Sequence, residues 1–317
     1  MKSFCISHVK DVDGVGAAAL VMAAKGARPI LSDYDTLIQD LGRVPKNADE
    51  LVICDLGTDD TTRGEFVGKL KEIAKRTRVT YIDHHYLGKK EEREIRSSGV
   101  ELVHDESECA SMLAYLTFKE ELPREAMDIA LYGAVTDYMD GSPNAKRLME
   151  MTDRQFILAE ATLLSMALSN KEAGPGFPQK IASALSKMKQ PHEIDDVVGL
   201  AVDQLAAMQV LAKVAKEHGR KMGRLAYMGT TQRATGNVAK LLIGAFDVPV
   251  GVSMRRKGDW YEVSLRGTSG CRVHLGQTAG KVAKSLGGSG GGHALAAGCR
   301  VPVEKMPALL ERLSELV

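Results

Sequence analysis

The first half of the chain alternates short apolar runs with amphipathic stretches. Apolar runs over residues 3–7, 51–54 and 79–82 predict strands, and residues 16–25 and 61–76 carry apolar positions at helical spacing. Strands that alternate with helices are typical of a parallel sheet with helices packed against it. We therefore expect an α/β fold that begins with a parallel-sheet domain.

The second half changes its pattern twice. Residues 107–189 are mostly helical, and a further helix is predicted over residues 194–219. After it the chain returns to strands and helices, including a hairpin over residues 248–267, a glycine-rich loop over residues 287–292 and a terminal helix. The pattern predicts an N-terminal domain over residues 1–190, a helical linker over 191–219 and a smaller α/β domain over 220–317.

Length and composition fit two ordinary globular domains. The chain has 317 residues, 44% of them hydrophobic, which is enough for buried cores and argues against disorder. We see neither a signal peptide nor an apolar run near the roughly 20 residues that span a bilayer, so we expect a cytoplasmic protein without a membrane partner. The five cysteines are scattered without a C-x-x-C pair, which disfavours disulfides and thiolate zinc sites.

Acidic and histidine residues gather where the predicted strands end. Such residues follow each of the three strands of the first half, and one more aspartate ends a helical run. The carboxyl ends of parallel strands form one edge of the sheet, where ligands bind, so four separate segments are expected to meet there. The residues concerned are His8, Asp11, Asp13, Asp55, Asp83, His84, His85 and Asp137.

Each of these residues taken alone has an ordinary structural interpretation, such as a turn at Asp13-Gly14 or a helix cap. Together they point to metal, because packed carboxylates raise one another's pKa unless a cation neutralises them. Oxygen and imidazole ligands without thiolate suit Mn²⁺, or else Mg²⁺ or Co²⁺, better than structural zinc. The ligands exceed the needs of one ion, which predicts two ions that share a bridging carboxylate, as in phosphoester hydrolysis.

A second candidate site is the glycine-rich run GGSGGGHALAAG near the C-terminus. Gly290, Gly291 and Gly292 allow backbone amides to approach an anion closely, and His293 is placed to donate to a phosphate. Arg266 in the preceding hairpin offers a guanidinium fork for the same task. The alternatives are a flexible linker for the glycine run and an ordinary exposed strand residue for Arg266.

Six motifs occur in order along nearly the whole chain: SHVKDVDGVG (7–16), VICDLG (52–57), YIDHH (81–85), VTD (135–137), SLRG (264–267) and GGGHALAAG (290–298). On these motifs the chain resembles the DHH phosphoesterase superfamily with a DHH-associated C-terminal domain, as found in RecJ-like nucleases and nano-RNases. One departure is that two residues separate His8 from Asp11 where many members have three; archaeal-type members also vary there.

The resemblance implies a role for each candidate residue. One metal would be held by His8, Asp11 and Asp55, and the other by Asp13, Asp55, His84 and Asp137, with Asp55 as the bridge. Asp83 would orient the histidine pair, and His85 would face the substrate phosphate; with Asp55 these form the catalytic set. Substrate would be held from the C-terminal domain by Arg266, Gly290, Gly291, Gly292 and His293.

The resemblance implies a metal-dependent phosphodiesterase or exonuclease that hydrolyses short single-stranded RNA or DNA to mononucleotides with two Mn²⁺ ions. The same scaffold supports a cyclic dinucleotide phosphodiesterase or a 3′-phosphoadenosine-5′-phosphate phosphatase. A non-catalytic nucleic-acid-binding protein is a third class, but it would be expected to lack metal ligands. A homodimer is compatible with the helical stretch over residues 107–189, although nothing in the sequence requires one.

The net charge of +1 conceals an uneven distribution. Residues 219–317 carry 15 Lys and Arg against 6 Asp and Glu, whereas residues 1–218 carry 27 against 35. An acidic domain that needs cations and a basic domain suited to phosphates would neutralise a polyanion from both sides. We therefore expect the active site in the cleft between the two domains.

Overall fold

The computed structural model describes residues 2–58, 62–231, 235–292 and 294–317. The chain divides into two compact units, Met1–Gln204 and Leu205–Val317. The boundary falls inside one long helix. The predicted α/β class is confirmed, with a parallel sheet in the N-terminal unit and a mixed sheet in the C-terminal unit.

The N-terminal unit is built on a five-stranded sheet in which every neighbouring pair is parallel. Its strand order is β2-β1-β3-β4-β5. Alternate side chains of each strand point to opposite faces, so Phe4 and Ile6 enter one buried cluster and Cys5 enters the other. The strands are β1 (Ser3–His8), β2 (Arg28–Ser32), β3 (Glu50–Cys54), β4 (Arg78–Asp83) and β5 (Glu101–His104).

Helices cover both faces of this sheet, because both faces carry apolar residues that must be buried. The helices are α1 (Val12–Lys25), α2 (Leu37–Leu41), α3 (Arg63–Ala74), α4 (Lys89–Arg96), α5 (Ala110–Phe118), α6 (Ala126–Thr136), α7 (Pro143–Met149), α8 (Arg154–Ser169), α9 (Phe177–Leu185) and α10 (Val197–His218). The predicted start of α3 at Thr61 lies outside the described residues.

Two strands of this sheet, β2 and β5, were not predicted from the pattern. β2 is only five residues long and contains Pro29, which cannot donate to a strand neighbour. It lies at the edge of the sheet, where one side of the strand needs no such donor. β5, at the other edge, is four residues long and too short for a clear periodicity.

Helix α10 corrects the expectation that no apolar segment is long enough to span a bilayer. By length and composition alone its 22 residues pass that test, with a mean hydropathy of 1.5 over the best window, and little of that window is buried. The segment was overlooked because Asp203 and Lys213 interrupt the apolar run. A single helix of this kind is weak evidence for a membrane span.

The C-terminal unit contains a six-stranded mixed sheet of order β10-β11-β9-β8-β7-β6, in which only β7 and β8 are parallel. The strands are β6 (Arg220–Met222), β7 (Leu225–Gly229), β8 (Val250–Lys257), β9 (Trp260–Gly267), β10 (Ser289–Gly292) and β11 (Ala296–Pro302). The helices are α11 (Thr235–Phe246), α12 (Leu275–Ser285) and α13 (Met306–Leu316).

The expected glycine-rich loop is wrong for most of its length, because Ser289–Gly292 forms the edge strand β10, paired antiparallel with β11. Its glycines permit close packing against β11, and glycines of α12 permit that helix to approach β10. A Cβ on Gly276 of α12 would lie 1.9 Å from the Gly292 carbonyl oxygen, and one on Gly290 would lie 2.5 Å from the Cys299 Cβ. Glycine composition is a poor strand signal, since it usually weakens a strand.

Candidate metal centre

Four neighbouring strands end beside one another at the carboxyl edge of the N-terminal sheet. β1 ends at His8, β3 is followed by Asp55, and β4 ends at Asp83. The register pairs β1 with both β2 and β3, and β3 with β4, so these chain ends are adjacent. The sequence-predicted histidines and aspartates therefore meet at one edge because of strand order.

The first turn of α1 adds two further carboxylates to this edge. Asp11 caps the helix, its Oδ1 accepting a hydrogen bond of 3.0 Å from the Gly14 amide. Asp13 lies inside the first turn and is fully buried. Gly14 is required here, because a Cβ at that position would lie 2.5 Å from the carbonyl oxygen of His8. The D-x-D-G sequence thus serves both the helix start and the close approach to β1.

His8, Asp11 and Asp55 form the first of the groups that could hold a metal ion. His8 Nδ1 lies 3.0 Å from Asp11 Oδ2 and 3.4 Å from Asp55 Oδ2. Neither ring nitrogen of this buried histidine makes a properly aligned hydrogen bond to any described residue. Buried polar atoms normally have hydrogen-bond partners. Since the ring nitrogens of His8 lack them among the described residues and lie close to carboxylate oxygens, the arrangement fits coordination of a shared cation.

A second group consists of Asp13, His84 and Asp137. His84 Nε2 lies 3.4 Å from Asp137 Oδ2, 3.7 Å from Asp13 Oδ2 and 3.2 Å from Asp55 Oδ1. Asp137 reaches the cluster as the C-terminal cap of α6, on a different element from the strand ends. One imidazole nitrogen surrounded by three carboxylates is an arrangement suited to a divalent cation.

Asp55 belongs to both halves of the cluster. Its Oδ2 lies toward His8 and its Oδ1 toward His84, as a bridging carboxylate would. The backbone at Asp55 has a φ of 57°, in the left-handed region that residues other than Gly, Asn and Asp rarely adopt. This conformation, which aspartate can adopt, accompanies a side chain directed into the cluster.

The charges of the cluster perturb the pKa values of its members. Burial, aided by the charge of Asp55, raises the pKa of Asp13, and burial together with the charge of Asp13 raises the pKa of Asp137. For His84 burial would lower the pKa, but hydrogen bonding to Asp55 and the neighbouring carboxylates outweigh it and raise the pKa to about 10. Asp13, Asp137 and His84 therefore hold protons more tightly than usual, and a bound cation would replace those protons.

Asp13 has a structural duty that the sequence did not reveal. Its two carboxylate oxygens accept hydrogen bonds from the backbone amides of Ala110 at 2.7 Å and Ser111 at 2.8 Å. These amides begin α5, and a helix N-terminus stabilises a nearby anion. Gly133 of α6 packs closely over this contact, because a Cβ there would lie 2.0 Å from Ser111 Oγ and 2.6 Å from Asp13 Oδ1.

Asp83 orients His85. Its Oδ1 lies 2.8 Å from His85 Nδ1, so the ring donates to the carboxylate and directs Nε2 away from it. The other oxygen, Oδ2, lies 3.1 Å from the hydroxyl of Tyr81. The Tyr34 hydroxyl is 3.1 Å from His85 Nε2. Asp55, His84 and His85 also form a third group with metal-ligand spacing.

Sequence reasoning missed the residues that follow β2. Asp33 Oδ1 lies 3.7 Å from His8 Nε2, and Lys10 pairs with the same carboxylate. The ring of Tyr34 lies 4.8 Å from that of His8, centroid to centroid. Recognising β2 as an edge strand despite its proline would have revealed a fourth strand end at this edge.

The predicted substrate-binding residues of the C-terminal unit are arranged within that unit as follows. Arg266 lies in β9, where it is paired in register with Ala296 of β11, and its guanidinium approaches Gly236 so closely that a Cβ there would lie 2.5 Å from Nη2. Gly290–Gly292 form part of β10, exposed along its length. The prediction for His293 falls outside the described residues.

The sequence matches the DHH family, N-terminal domain, over residues 2–134, and the DHHA1 domain over residues 223–317. The chain belongs to the DHH superfamily of phosphoesterases. Its members hydrolyse phosphoesters and use divalent metals, which agrees with the ligand groups at the strand ends. No curated protein matches the chain by sequence.

Solved structures share this fold at low sequence identity. The DHH domain of a protein described as a member of a ribosomal protein family has a TM-score of 0.72 at 16% identity, covering 99% of this chain and 86% of that one. RecJ from Thermus thermophilus, solved in complex with Mn²⁺, has a TM-score of 0.68 at 17% identity and 99% coverage of this chain. This DHH protein spans only 52% of that RecJ chain.

A third relative is close in length to this DHH protein. The pGpG-specific phosphodiesterase PggH from Vibrio cholerae has a TM-score of 0.56 at 14% identity, covering 99% of this chain and 98% of that one. At these identities the likeness shows the fold that the two proteins have in common.

Proposed function

We propose that this protein is a phosphodiesterase that hydrolyses short single-stranded oligonucleotides to mononucleotides with two divalent cations, Mn²⁺ in preference to Mg²⁺ or Co²⁺. The observation that carries the proposal is the sharing of Asp55 between two groups of buried ligand atoms. One cation would be held by His8, Asp11 and Asp55, and the other by Asp13, Asp55, His84 and Asp137. Two such cations supply Lewis-acid stabilisation of phosphate and lower the pKa of an attacking water.

The remaining residues of the centre have roles that follow from their contacts. Asp83 fixes the ring of His85 through Nδ1, leaving Nε2 to face a substrate phosphate or a leaving oxygen. The buried hydroxyl of Tyr81 holds the opposite oxygen of Asp83. His85 is therefore pre-oriented, with the Tyr34 hydroxyl 3.1 Å from its Nε2.

In the C-terminal unit we propose that Arg266, the exposed strand Gly290–Gly292 and His293 bind substrate phosphate. That unit is net positive, which favours a polyanion. A short substrate is supported by the shared fold with PggH, which is named for its action on pGpG.

The test is a substrate panel for the full chain with each of the three cations. A 5′-labelled dinucleotide, a longer single strand, cyclic di-AMP and 3′-phosphoadenosine 5′-phosphate are incubated side by side, with EDTA as the metal-free control. We expect the dinucleotide to have the highest kcat/KM, in RNA and DNA forms alike, with Mn²⁺ the most effective cation. Preference for either of the last two substrates would replace the oligonucleotide assignment.

Absence of all turnover with retained binding of the single strand would instead support a non-catalytic nucleic-acid-binding protein. Loss of activity in EDTA followed by recovery on adding Mn²⁺ separates metal dependence from an unrelated contaminant. The variant Asp203→Asn, which removes one negative charge at an exposed position on α10 outside the metal centre, should retain full activity.

A further inference from the structure

Most exposed aromatic residues directly follow residues of the metal centre or its neighbours in the sequence. Of the four exposed Phe, Tyr and Trp residues in the described parts of the chain, three are tyrosines: Tyr34, Tyr86 and Tyr138, with exposed fractions of 42%, 66% and 71%. Each directly follows a residue that belongs to the metal centre or lies beside it. These preceding residues are Asp33, His85 and Asp137. Consecutive Cα atoms are about 3.8 Å apart, so the backbone of each tyrosine lies next to the cluster.

The fourth exposed aromatic residue, Phe156, differs in its surroundings. It lies on α8, and its ring packs edge-on against His192 at 6.2 Å between centroids. Exposed apolar surface that gathers at one place marks an interaction site, whereas single exposed residues are ordinary. The three tyrosines are attached to neighbouring segments of one centre, and Phe156 provides a matched aromatic residue outside the group.

Tyr138 has a backbone conformation in which glycine would be more stable than tyrosine. α6 ends in a Schellman motif, in which the Met139 amide donates to the Ala134 carbonyl and the Tyr138 amide to the Val135 carbonyl. The residue at the position of Tyr138 has a φ of 60°, and glycine usually occupies it. A tyrosine there strains the backbone, and strain that persists beside a metal ligand indicates a functional use.

Tyr34 is held in place by two residues of the centre. Its hydroxyl lies 3.1 Å from His85 Nε2, and its ring lies 4.8 Å from the ring of His8. The ring therefore contacts both histidines, while 42% of the residue stays open to solvent. The exposed part of this residue is therefore available to a planar group of the substrate.

We propose that Tyr34, Tyr86 and Tyr138 form a nucleobase-binding rim around the metal centre, an inference that rests on the proposed function and narrows its substrate. Tyrosine offers a neutral π-face on which a base can stack. The substrate class is then base-bearing phosphodiesters. Stacking is sequence-tolerant, so the rim accepts any of the four bases.

Binding of AMP and of ribose 5-phosphate, which has a hydroxyl group where AMP has its base, tests the rim without requiring turnover. Calorimetry on the full chain with Mn²⁺ should give at least about 10-fold tighter binding of AMP. The ratio should fall toward one in the double variant Tyr34→Ala/Tyr138→Gly and persist in Phe156→Ala. A wild-type ratio near one, or an unchanged ratio in the double variant, overturns the proposal.

The single variant Tyr138→Gly separates a binding role from a structural one. Because glycine suits the left-handed position, its Tm should equal or exceed that of the wild type, by up to about 4 °C, while the preference for AMP falls. A lower Tm accompanied by equally weakened binding of both ligands would assign Tyr138 a purely structural role.

Hydrolysis of a dinucleotide and of its analogue with tetrahydrofuran in place of one base distinguishes this inference from the function beneath it. If the wild type hydrolyses both equally well, the rim is wrong and the phosphodiesterase stands. If it hydrolyses neither but prefers AMP to ribose 5-phosphate, the rim stands and the phosphodiesterase is wrong.

Discussion

The two units of the chain offer candidate sites of contrasting construction. In the N-terminal unit the site consists of buried charged side chains, with Asp13, Asp55 and His84 all nearly inaccessible to solvent. In the C-terminal unit the candidate site combines the exposed, glycine-rich backbone of β10 with the side chain of Arg266 in β9. The first is suited to holding small cations tightly, and the second to contacting an anion that arrives from solvent.

The glycines of the two sites also differ in what occupies the space where a Cβ would lie. Gly14 and Gly133 are needed because ligand side chains or their neighbours occupy the space where a Cβ would lie. Gly290 is needed because another backbone strand lies there, whereas Gly291 faces open space. A glycine-rich run therefore mixes packing positions with positions that are free for a ligand.

The largest effect is expected from Asp55→Asn. Asparagine tolerates the left-handed backbone of Asp55, so the substitution removes the bridging charge with little change of fold. Hydrolysis with Mn²⁺ should fall on the order of 10³-fold or more, measured as kcat/KM on the dinucleotide. Asp203→Asn is the control, and wild-type turnover by Asp55→Asn would rule out the shared-ligand arrangement.

The metal-free protein should lose stability as pH rises. The folded pKa of His84 is raised to about 10 from an ordinary 6.5, so its contribution is fully present below pH 6.5 and is lost up to about pH 10. The raised pKa values of Asp13 and Asp137 act in the same direction above their unfolded values. Between about pH 6.5 and about pH 9 we expect the free energy of unfolding to decline by a quantity on the order of 3 kcal/mol.

With Mn²⁺ bound the trend should reverse, because the cation replaces those protons. Denaturation curves from about pH 6.5 to about pH 9, in EDTA and in Mn²⁺, test this, and calorimetry in two buffers of different ionisation enthalpy measures the protons released. A metal-free stability that is flat or rises over this range would contradict the charge balance assigned to the N-terminal site.

Gly133→Ala should disturb the N-terminal site through packing alone. The added Cβ meets Ser111 Oγ at 2.0 Å and Asp13 Oδ1 at 2.6 Å, so either α6 or the Asp13 contact must shift. Overpacking of this kind costs about 1–3 kcal/mol, and Mn²⁺ affinity should weaken with it. Gly68→Ala on the exposed side of α3, where no atom lies within 4 Å, should be neutral or slightly stabilising.

The smallest effects are expected in β10, and they separate its two kinds of glycine. Gly290→Ala places a Cβ 2.5 Å from the Cys299 Cβ and should increase amide hydrogen exchange in β10 and β11. Gly291→Ala meets nothing within 4 Å and should leave exchange unchanged while raising substrate KM a few-fold, because a methyl group partly blocks the exposed backbone. Equal behaviour of the two variants would remove the distinction between packing and ligand-facing positions.

Much of the N-terminal architecture could be predicted from the sequence. Alternating apolar runs predicted β1, β3 and β4 to within one residue at each end, and the polar residues that follow them predicted the cluster at one edge. The edge strand β2, and with it Asp33 and Tyr34, was missed, since five residues that include a proline give no strong periodicity.

The sequence by itself determined which residue types are available and on which strand ends they lie, because period-two and helical periodicities are local properties of the chain. Only the tertiary structure decided that Asp55 faces both His8 and His84, that Asp13 also anchors α5, and that Tyr138 occupies a glycine position. These features depend on strand order and on contacts between residues up to 98 positions apart, which no local pattern records.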